Sequence, residues 1–300
     1  MNKIRSVVTG GAGFIGSHLV AKLVDLGHQV TVIDDLSSGL ESRLPSSVEL
    51  VRESVQNIKD SSSLSGVDYV FHLAAMSRSG PSLNEMELCH KSNVLGTWNL
   101  LEMVKTSSVK KFVYAASSTC YGSAPVPHTL STPPMMLNPY GWSKYAGEQL
   151  TLMYGSAFSI PVLSLRLFNV YGKFQPHEGP YALVIGTFLQ KLRDGETIVI
   201  HGDGKQRRDF VHVSDVADCM LAAAFSTMKD NFYNVGSGSN VSIAELAKYF
   251  PVKTEFGPRR FGDAKETLAD ITETVADLSW SPRISLSQGI QELINDGTPT

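Results

Sequence analysis

The amino-acid sequence predicts an α/β fold, a doubly wound parallel sheet with a second, smaller α/β domain. Three observations support this prediction. Short apolar runs bounded by turn residues alternate with longer segments of helical period, which is the pattern of βαβ units. A glycine-rich turn joins the first apolar run to the first helical segment. Glycine, proline and charged residues become frequent from 172 to 180, where the second domain is expected to begin.

The elements follow from this alternation in chain order. Residues 4–8 form the first predicted strand, 14–26 a helix closed by Gly27, and 29–33 a second strand that ends at Asp34. The sequence then predicts further buried strands at 67–73, 111–116 and 162–167, and helices near 85–106 and 140–156.

Two domains are expected. Residues 1–168 form the first, and 169–300 form most of the second. The helical segment 213–225 and the apolar segment 232–235 are expected to return to the first sheet, so about 210–236 would belong to the first domain.

The composition excludes several classes of protein. The chain has 300 residues, 18% charged and 42% hydrophobic, with a net charge of −3, unlike a disordered chain or a basic nucleic-acid binder. No apolar run reaches the roughly 18–20 residues that span a bilayer, so a cytoplasmic protein without membrane contact is expected. Cys89, Cys120 and Cys219 are far apart and predict buried thiols, without disulfides or a metal site.

The glycine-rich turn has the pattern of a dinucleotide-binding Rossmann fold. The string TGGAGFIGSHL occupies 9–19, where Gly10 permits the tight turn, Gly13 lets the backbone approach a pyrophosphate, and Gly16 lets helix and strand pack closely. Asp34 lies 18 residues beyond Gly16, where a carboxylate accepts hydrogen bonds from an adenosine ribose and repels a 2′-phosphate. NAD is therefore the expected cofactor.

A tyrosine, a lysine and a serine are the candidate catalytic residues. Asn138 and Pro139 signal a helix start, so Tyr140 and Lys144 lie one turn apart on one face. Lowering a tyrosine pKa from about 10 to about 7 requires roughly 4 kcal/mol. The lysine and an oxidised nicotinamide, each about 7 Å away, would supply about 2 kcal/mol apiece. Ser117 ends a buried strand, at the edge where α/β sheets place their chemistry.

Further strings extend these motifs along nearly the whole chain, from residue 4 to about 293. They are VIDDLSSG at 32–39, FHLAA at 71–75, NVLGT at 93–97, SSTCYG at 117–122, PYGWSK at 139–144, LRLFNVYG at 165–172, HGDGKQRRDFVHVSDVA at 201–217, FYNVGSG at 232–238 and PRRFGD at 258–263. The chain thereby resembles the extended short-chain dehydrogenase/reductase family, and within it the UDP-galactose 4-epimerase-like nucleotide-sugar epimerases.

The resemblance implies roles for individual residues. The implied catalytic residues are Ser117, Tyr140 and Lys144. The implied NAD contacts are Gly10, Gly13, Phe14, Ile15, Asp34, Leu73, Ala74, Ala75, Asn93, Tyr140 and Lys144. The implied contacts to the sugar nucleotide in the second, substrate-binding domain are Thr119, Asn169, Arg208, Arg260, Asp263 and Thr267.

The implied activity is NAD-dependent inversion of C4 of a UDP-hexose through a 4-keto sugar. In the resembling epimerases, the position that corresponds to Thr267 walls the pocket beside the sugar 2-substituent, and the resemblance implies that threonine leaves room here for an acetamido group. UDP-glucose, UDP-galactose and their N-acetylated counterparts are therefore the expected substrates. The resemblance also implies a homodimer formed through the helices near 85–106 and 140–156. The first of these carries the apolar positions Leu95, Trp98, Leu101 and Val104, which we expect to form one stripe.

The sequence departs from the family at two places and leaves alternatives open. Ser54 replaces an aspartate that usually contacts adenine, which predicts weaker retention of NAD. Arg78 lies near the expected sugar site and keeps UDP-glucuronate 4-epimerisation open, as well as other nucleotide-sugar chemistry on the same fold. A 4,6-dehydratase is disfavoured because Ser118 and Thr119 stand where an Asp-Glu pair is required. A non-catalytic NAD-sensing regulator is the alternative of another class.

Overall fold

The computed structural model describes residues 3–58, 64–258 and 264–296. Within them, seven parallel strands form one sheet, in the order β3-β2-β1-β4-β5-β6-β11. These strands are β1 (Arg5–Thr9), β2 (Gln29–Ile33), β3 (Glu49–Val51), β4 (Tyr69–His72), β5 (Lys111–Ser117), β6 (Val162–Leu167) and β11 (Asn231–Val235). The predicted doubly wound parallel sheet is confirmed.

Helices cover both faces of this sheet. They are α1 (Phe14–Asp25), α2 (Ser79–Asn84), α3 (Met86–His90), α4 (Gly96–Lys105), α5 (Pro139–Phe158) and α7 (Val213–Phe225), with α9 (Thr272–Leu278) packed beside α7 and β11. Helix α5 begins as predicted, because the Asn138 side chain accepts a hydrogen bond from the Gly141 N–H at 2.9 Å and Pro139 occupies the first turn. In the described ranges, no helix is both long and apolar enough to cross a bilayer.

A second group of elements packs around its own core. It contains β7 (Asn169–Tyr171) paired with β10 (Phe210–His212), β8 (Ile198–His201) paired with β13 (Thr254–Gly257), and β9 (Arg207–Arg208) paired with β12 (Val241–Ser242), with helices α6 (Val184–Asp194), α8 (Ile243–Ala247) and α10 (Leu286–Asp296). Its core includes Tyr171, Phe188, Ile198 and Phe210. We keep the domain boundary after residue 168 as a proposal, since β7 is the first strand outside the main sheet.

The helix predicted near 85–106 is interrupted by one wider turn. Residues Lys91–Leu95 are π-helical and lie between α3 and α4. The π turn contains Asn93, whose side chain is buried.

The prediction that Leu95, Trp98, Leu101 and Val104 form one apolar stripe is wrong. Leu95 and Trp98 are 49% and 48% exposed, whereas Leu101 and Val104 are buried in the core beneath the sheet. Successive steps of three residues fall about 60° short of a full helical turn, so the fourth position faces the opposite side from the first. The outward and inward apolar groups therefore belong to different faces. The prediction of buried thiols is confirmed, since Cys89, Cys120 and Cys219 are all buried.

A buried ion pair joins α5 to β6. Arg166 and Glu148 are 3% and 1% exposed, and Arg166 Nη2 donates to Glu148 Oε1 at 2.6 Å while Nε donates to Oε2 at 2.9 Å. The Arg166 guanidinium also lies 3.8 Å from the ring centroid of Phe232 and 4.9 Å from that of Tyr121. The pair thus fixes the middle of α5 against two strands of the sheet.

Removing one member of this pair leaves a buried charge without its partner. We expect Glu148→Gln to lower the free energy of unfolding by about 3–5 kcal/mol, measured by urea denaturation. The control is Glu87→Gln, which breaks the exposed pair with Lys91 and is expected to leave the midpoint unchanged. Combining Glu148→Leu with Arg166→Met should restore much of the loss. Equal effects of Glu148→Gln and Glu87→Gln would contradict this prediction.

Candidate active site

The turn between β1 and α1 is built from glycine because its backbone passes close to the loop after β4. Gly10 has a φ of +69°, and a Cβ atom there would lie 2.7 Å from the backbone nitrogen of Ala74. A Cβ atom on Gly16 would overlap the Gly10 carbonyl oxygen. Gly13 is the N-cap of α1 and has no side chain to cap the helix, so the first N–H groups of the helix remain available as hydrogen-bond donors. This cradle fits a dinucleotide pyrophosphate.

Asp34 is buried directly after β2. Its carboxylate oxygens accept hydrogen bonds from the backbone N–H groups of Ala12 and Leu36, both at 2.9 Å. Burial raises the pKa of Asp34, and these two N–H groups act in the opposite direction. The carboxylate is therefore fixed to the glycine turn. Phe14 and Ile15, which begin α1, are half-buried.

The loop at 73–75 is held from two sides. The Ala74 N–H donates to the Thr9 hydroxyl at 3.2 Å. The Met76 N–H donates to Asn93 Oδ1 at 2.7 Å, and Asn93 Nδ2 donates to the Met76 carbonyl at 3.0 Å. The loop that carries three of the predicted cofactor contacts is thereby locked at its far end by the π-helical asparagine.

Asn93 also reaches the catalytic helix. Its Nδ2 atom donates to Ser143 Oγ at 2.9 Å, and the Ser143 hydroxyl donates to the Tyr140 carbonyl at the same distance. The structure therefore places Asn93 as a link between the loop at 73–75 and α5.

The structure brings Ser117, Tyr140 and Lys144 to the carboxyl edge of the sheet. Ser117 is the last residue of β5, and its hydroxyl donates to Thr119 Oγ1 at 2.9 Å. Tyr140 lies in the first turn of α5, where its N–H donates to Ser82 Oγ at 3.1 Å. Lys144 is buried, and its ammonium lies 4.2 Å from the ring centroid of Tyr114.

Burial controls the charges of this group. Burial lowers the pKa of Lys144 to about 7. Burial also raises the pKa of Tyr140, and the Ser117 hydroxyl and the Arg78 guanidinium act against that rise. The chain alone therefore does not lower the tyrosine pKa to about 7, and the sequence-based expectation depends on the added charge of an oxidised nicotinamide.

Three supporting residues were missed from the sequence. His72 is buried between two hydroxyls, with Nδ1 2.6 Å from Thr9 Oγ1 and Nε2 2.9 Å from Thr97 Oγ1, and burial lowers its pKa to about 3, so it is neutral. Ser82 and Ser143 hold Tyr140 through the backbone. Ser143 lies inside the string PYGWSK and His72 inside FHLAA, which were the available signals; nothing local marks Ser82.

The predicted sugar-nucleotide contacts lie partly together. Asn169 Nδ2 donates to the Asp209 carbonyl at 2.9 Å and to Thr267 Oγ1 at 3.0 Å, and the Asp209 N–H donates to the same threonine oxygen at 3.2 Å. Asn169 and Thr267 are therefore in contact. Arg208 Nη1 donates to the carbonyl of Lys265, two residues before Thr267, at 3.4 Å, and Arg208 lines a cavity of about 260 Å³ that Arg283 also lines.

The remaining predictions have different outcomes. Arg260 and Asp263 lie outside the described residues. Ser54 is half-buried in the loop after β3, where its carbonyl accepts hydrogen bonds from Asn57 and Ile58. Nothing in the structure tests its effect on cofactor retention.

Comparison with known proteins agrees with this geometry. The model of the NAD dependent epimerase/dehydratase family matches residues 6–236. A putative UDP-glucose 4-epimerase of Methanocaldococcus jannaschii is 35% identical over 301 residues, which cover 96% of this chain and 97% of that protein.

Two solved structures are similar over nearly their full lengths. A UDP-N-acetylglucosamine 4-epimerase from Methanobrevibacter ruminantium M1, in complex with UDP-N-acetylmuramic acid, superposes with a TM-score of 0.94 at 31% identity and covers 98% of each chain. A UDP-glucose 4-epimerase from Thermotoga maritima with UDP-glucose gives a TM-score of 0.93 at 32% identity, covering 97% of this chain and 98% of the other. This chain belongs to the NAD dependent epimerase/dehydratase family.

Proposed function

We propose that this protein is a nucleotide-sugar 4-epimerase that inverts C4 of a UDP-hexose with NAD as its cofactor. One observation carries the proposal. Ser117 ends β5, and Tyr140 and Lys144 lie one turn apart on α5, so a hydroxyl, a phenol and an ammonium meet beside the glycine cradle. These are the groups needed to move a proton at a sugar hydroxyl next to a dinucleotide.

The glycine turn, the loop at 73–75 and Asp34 form the proposed NAD site. The N–H groups at the start of α1 bind the pyrophosphate, and the Asp34 carboxylate accepts hydrogen bonds from the adenosine ribose. When bound, NAD supplies a reversible acceptor for the hydride of sugar C4. Lys144 Nζ would donate hydrogen bonds to the hydroxyl groups of the nicotinamide ribose. Within the protein, this ammonium lies over the ring of Tyr114.

Tyr140 is the proposed general base. As phenolate it removes the proton of the 4-hydroxyl group, and it returns the proton when C4 is reduced on its other face. Burial works against the phenolate, so the Lys144 ammonium and the Arg78 guanidinium are required to favour it. The Ser117 hydroxyl donates to the reacting oxygen after it turns away from Thr119.

Thr267 sets the proposed tolerance at the sugar 2-position. Its hydroxyl is held by Asn169, a proposed substrate contact, so its short side chain lies at the edge of the sugar site. A larger residue there would fill space of about the size of an acetamido group. UDP-glucose, UDP-galactose and the N-acetylated pair are the proposed substrates on this ground.

The proposed homodimer uses the outer face of α4 and α5. Leu95 and Trp98 are exposed on one side of this face, and Trp142 and Met153 are exposed on α5. The Trp142 ring also meets the His90 ring edge-on, with centroids 4.9 Å apart. Large apolar side chains gathered on neighbouring helices are typical of subunit contacts.

Removing the Tyr140 hydroxyl tests the proposed reaction. We expect the wild-type protein with NAD to interconvert C4 epimers in a panel of UDP-sugars, read by proton NMR, and Tyr140→Phe to lower kcat by at least about 10²–10⁴-fold, as for loss of a general base. Tyr145→Phe, five residues further along α5, is the control. Equal turnover by the wild type and Tyr140→Phe would contradict the proposed mechanism.

Asp34 predicts the choice between the two nicotinamide dinucleotides. Since its carboxylate meets a 2′-phosphate with like charge, wild-type protein should bind NAD at least about 100-fold more tightly than NADP in fluorescence titrations. Asp34→Asn should reduce this ratio at least tenfold, while Asp35→Asn, an exposed neighbour, should not change it. Tighter binding of NADP by the wild type would refute the assignment.

The low pKa of Lys144 predicts a pH dependence of stability. A lysine in the unfolded chain has a pKa of about 10.4, so between pH 7 and 10 the unfolded state binds more protons and stability rises with pH. Cofactor-free wild-type protein should therefore gain about 2–3 kcal/mol relative to Lys144→Met between pH 7 and 9, measured by urea denaturation. Lys91→Met serves as the exposed control. Parallel pH profiles of the wild type and Lys144→Met would show that the ammonium is not disfavoured by burial.

A further inference from the structure

Arg78 lies at the reacting end of the site, where the mechanism above uses its charge but gives its hydrogen-bond donors no ligand. It lies three residues beyond Ala75, in the segment that leaves the carboxyl end of β4, and it is the N-cap residue of α2. The carboxyl ends of parallel strands form the ligand crevice of such sheets. Its half-buried side chain therefore begins at the wall of this crevice.

Three hydrogen bonds place the segment that carries this arginine next to the catalytic helix, and the Arg78 side chain makes one of them. Arg78 Nε donates to the Tyr181 carbonyl at 3.0 Å, which ties the side chain to the segment before α6. One turn further along α2, Ser82 Oγ accepts from the Tyr140 N–H at 3.1 Å, which ties α2 to the start of α5. On the other side, Met76 is locked by Asn93. Consistent with this placement, the Arg78 guanidinium lowers the pKa of Tyr140 and so opposes the rise that burial causes.

Positive charge is concentrated at this end of the site. Burial lowers the pKa of Lys144 to about 7, so this side chain is charged in part at neutral pH, whereas the nearby carboxylate of Glu148 is bound to Arg166 at 2.6 Å. Burial raises the pKa of Tyr181, and the carboxylate of Glu85, at the end of α2, raises it further.

The other titratable groups around Tyr140 are neutral at pH 7. Burial raises the pKa values of Cys89 and Tyr114 and lowers that of His72. Asp34 lies at the end of β2, which is separated from β5 by the two strands β1 and β4. Arg78 thus adds a second positive side chain beside the carbon that reacts.

We propose that Arg78 binds a carboxylate carried by the sugar on a position next to C4, so that the enzyme converts an acidic UDP-hexose more efficiently than the neutral UDP-hexoses named above. The proposal rests on the 4-epimerase function proposed above. A guanidinium binds a carboxylate through two parallel charge-assisted hydrogen bonds, whereas a neutral hydroxymethyl group offers it one weaker bond. The ring neighbours of C4 are C3 and C5. The carboxylate is therefore either C6 of a hexuronic acid or part of a 3-O-carboxyalkyl ether.

A substitution series at Arg78 tests this assignment. The assay compares kcat/KM for UDP-glucuronate with that for UDP-glucose, and for UDP-N-acetylmuramate with that for UDP-N-acetylglucosamine. We expect one of the two acidic substrates to be preferred by the wild type, which identifies the carbon that carries the carboxylate. Arg78→Met should lower that acidic-to-neutral ratio about 10- to 100-fold. Arg78→Lys keeps the positive charge but loses the two parallel donors of the guanidinium, so it should lower the ratio less.

The ratio separates specificity from other effects of Arg78. Any change in Tyr140 acidity or in local packing acts on both substrates of a pair and cancels in the ratio. Arg52→Met, which removes an exposed arginine paired with Glu41, is the matched control and should leave both ratios unchanged. A wild-type preference for the neutral member of both pairs, or ratios that Arg78→Met does not change, would overturn the proposal.

Failure of the 4-epimerase function itself would give a different result. It would appear as no conversion of any UDP-sugar by NAD-loaded wild-type protein. Binding then decides the role of Arg78, by calorimetric titration of NAD-loaded Tyr140→Phe protein with each acidic and neutral sugar. Tighter binding of an acidic sugar that Arg78→Met removes would support the proposal, and equal binding of both members would overturn it.

Discussion

The buried pair of Glu148 and Arg166 is the interaction on which the arrangement of the site depends. It joins the catalytic helix α5 to β6, and the guanidinium lies between the rings of Tyr121 and Phe232. The Tyr121 hydroxyl continues the network to Asn234 Oδ1 at 2.7 Å. A buried pair of this kind adds little net stability by itself, but its geometry admits one position of α5 against the sheet. Tyr140 and Lys144 are placed by that constraint.

Burial gives the reacting groups their character. In the chain itself it favours the neutral forms of both Tyr140 and Lys144, so the charges that the proposed chemistry needs depend on what binds beside them. An oxidised nicotinamide and a polar sugar supply partners that water would otherwise provide. Tyr140, which becomes an anion, and Lys144, which becomes a cation, therefore lie on one face of α5. Arg78 is held beside them by its hydrogen bond to the Tyr181 carbonyl.

The parts of the fold and site that the sequence predicts are those governed by local rules. The turn at Gly10, the cap at Asn138 and the spacing of Tyr140 and Lys144 need only backbone sterics and helical geometry, and the structure has each as expected. The π turn that contains Asn93 and the burial of His72 between two threonines depend on groups distant in sequence. The split faces of Leu95 and Leu101 show that apolar positions alone do not identify which partner each one packs against.

The central claim is that one site oxidises and re-reduces the same carbon while Tyr140 exchanges only the hydroxyl proton. The most direct measurement uses a UDP-hexose that carries deuterium on C4, converted by the NAD-loaded enzyme through many turnovers in ordinary water. The account predicts that both epimers keep the deuterium on C4, observed by mass spectrometry and NMR. Replacement of that deuterium by solvent hydrogen as the epimers interconvert would mean that C4 is inverted by proton exchange, and it would contradict the account.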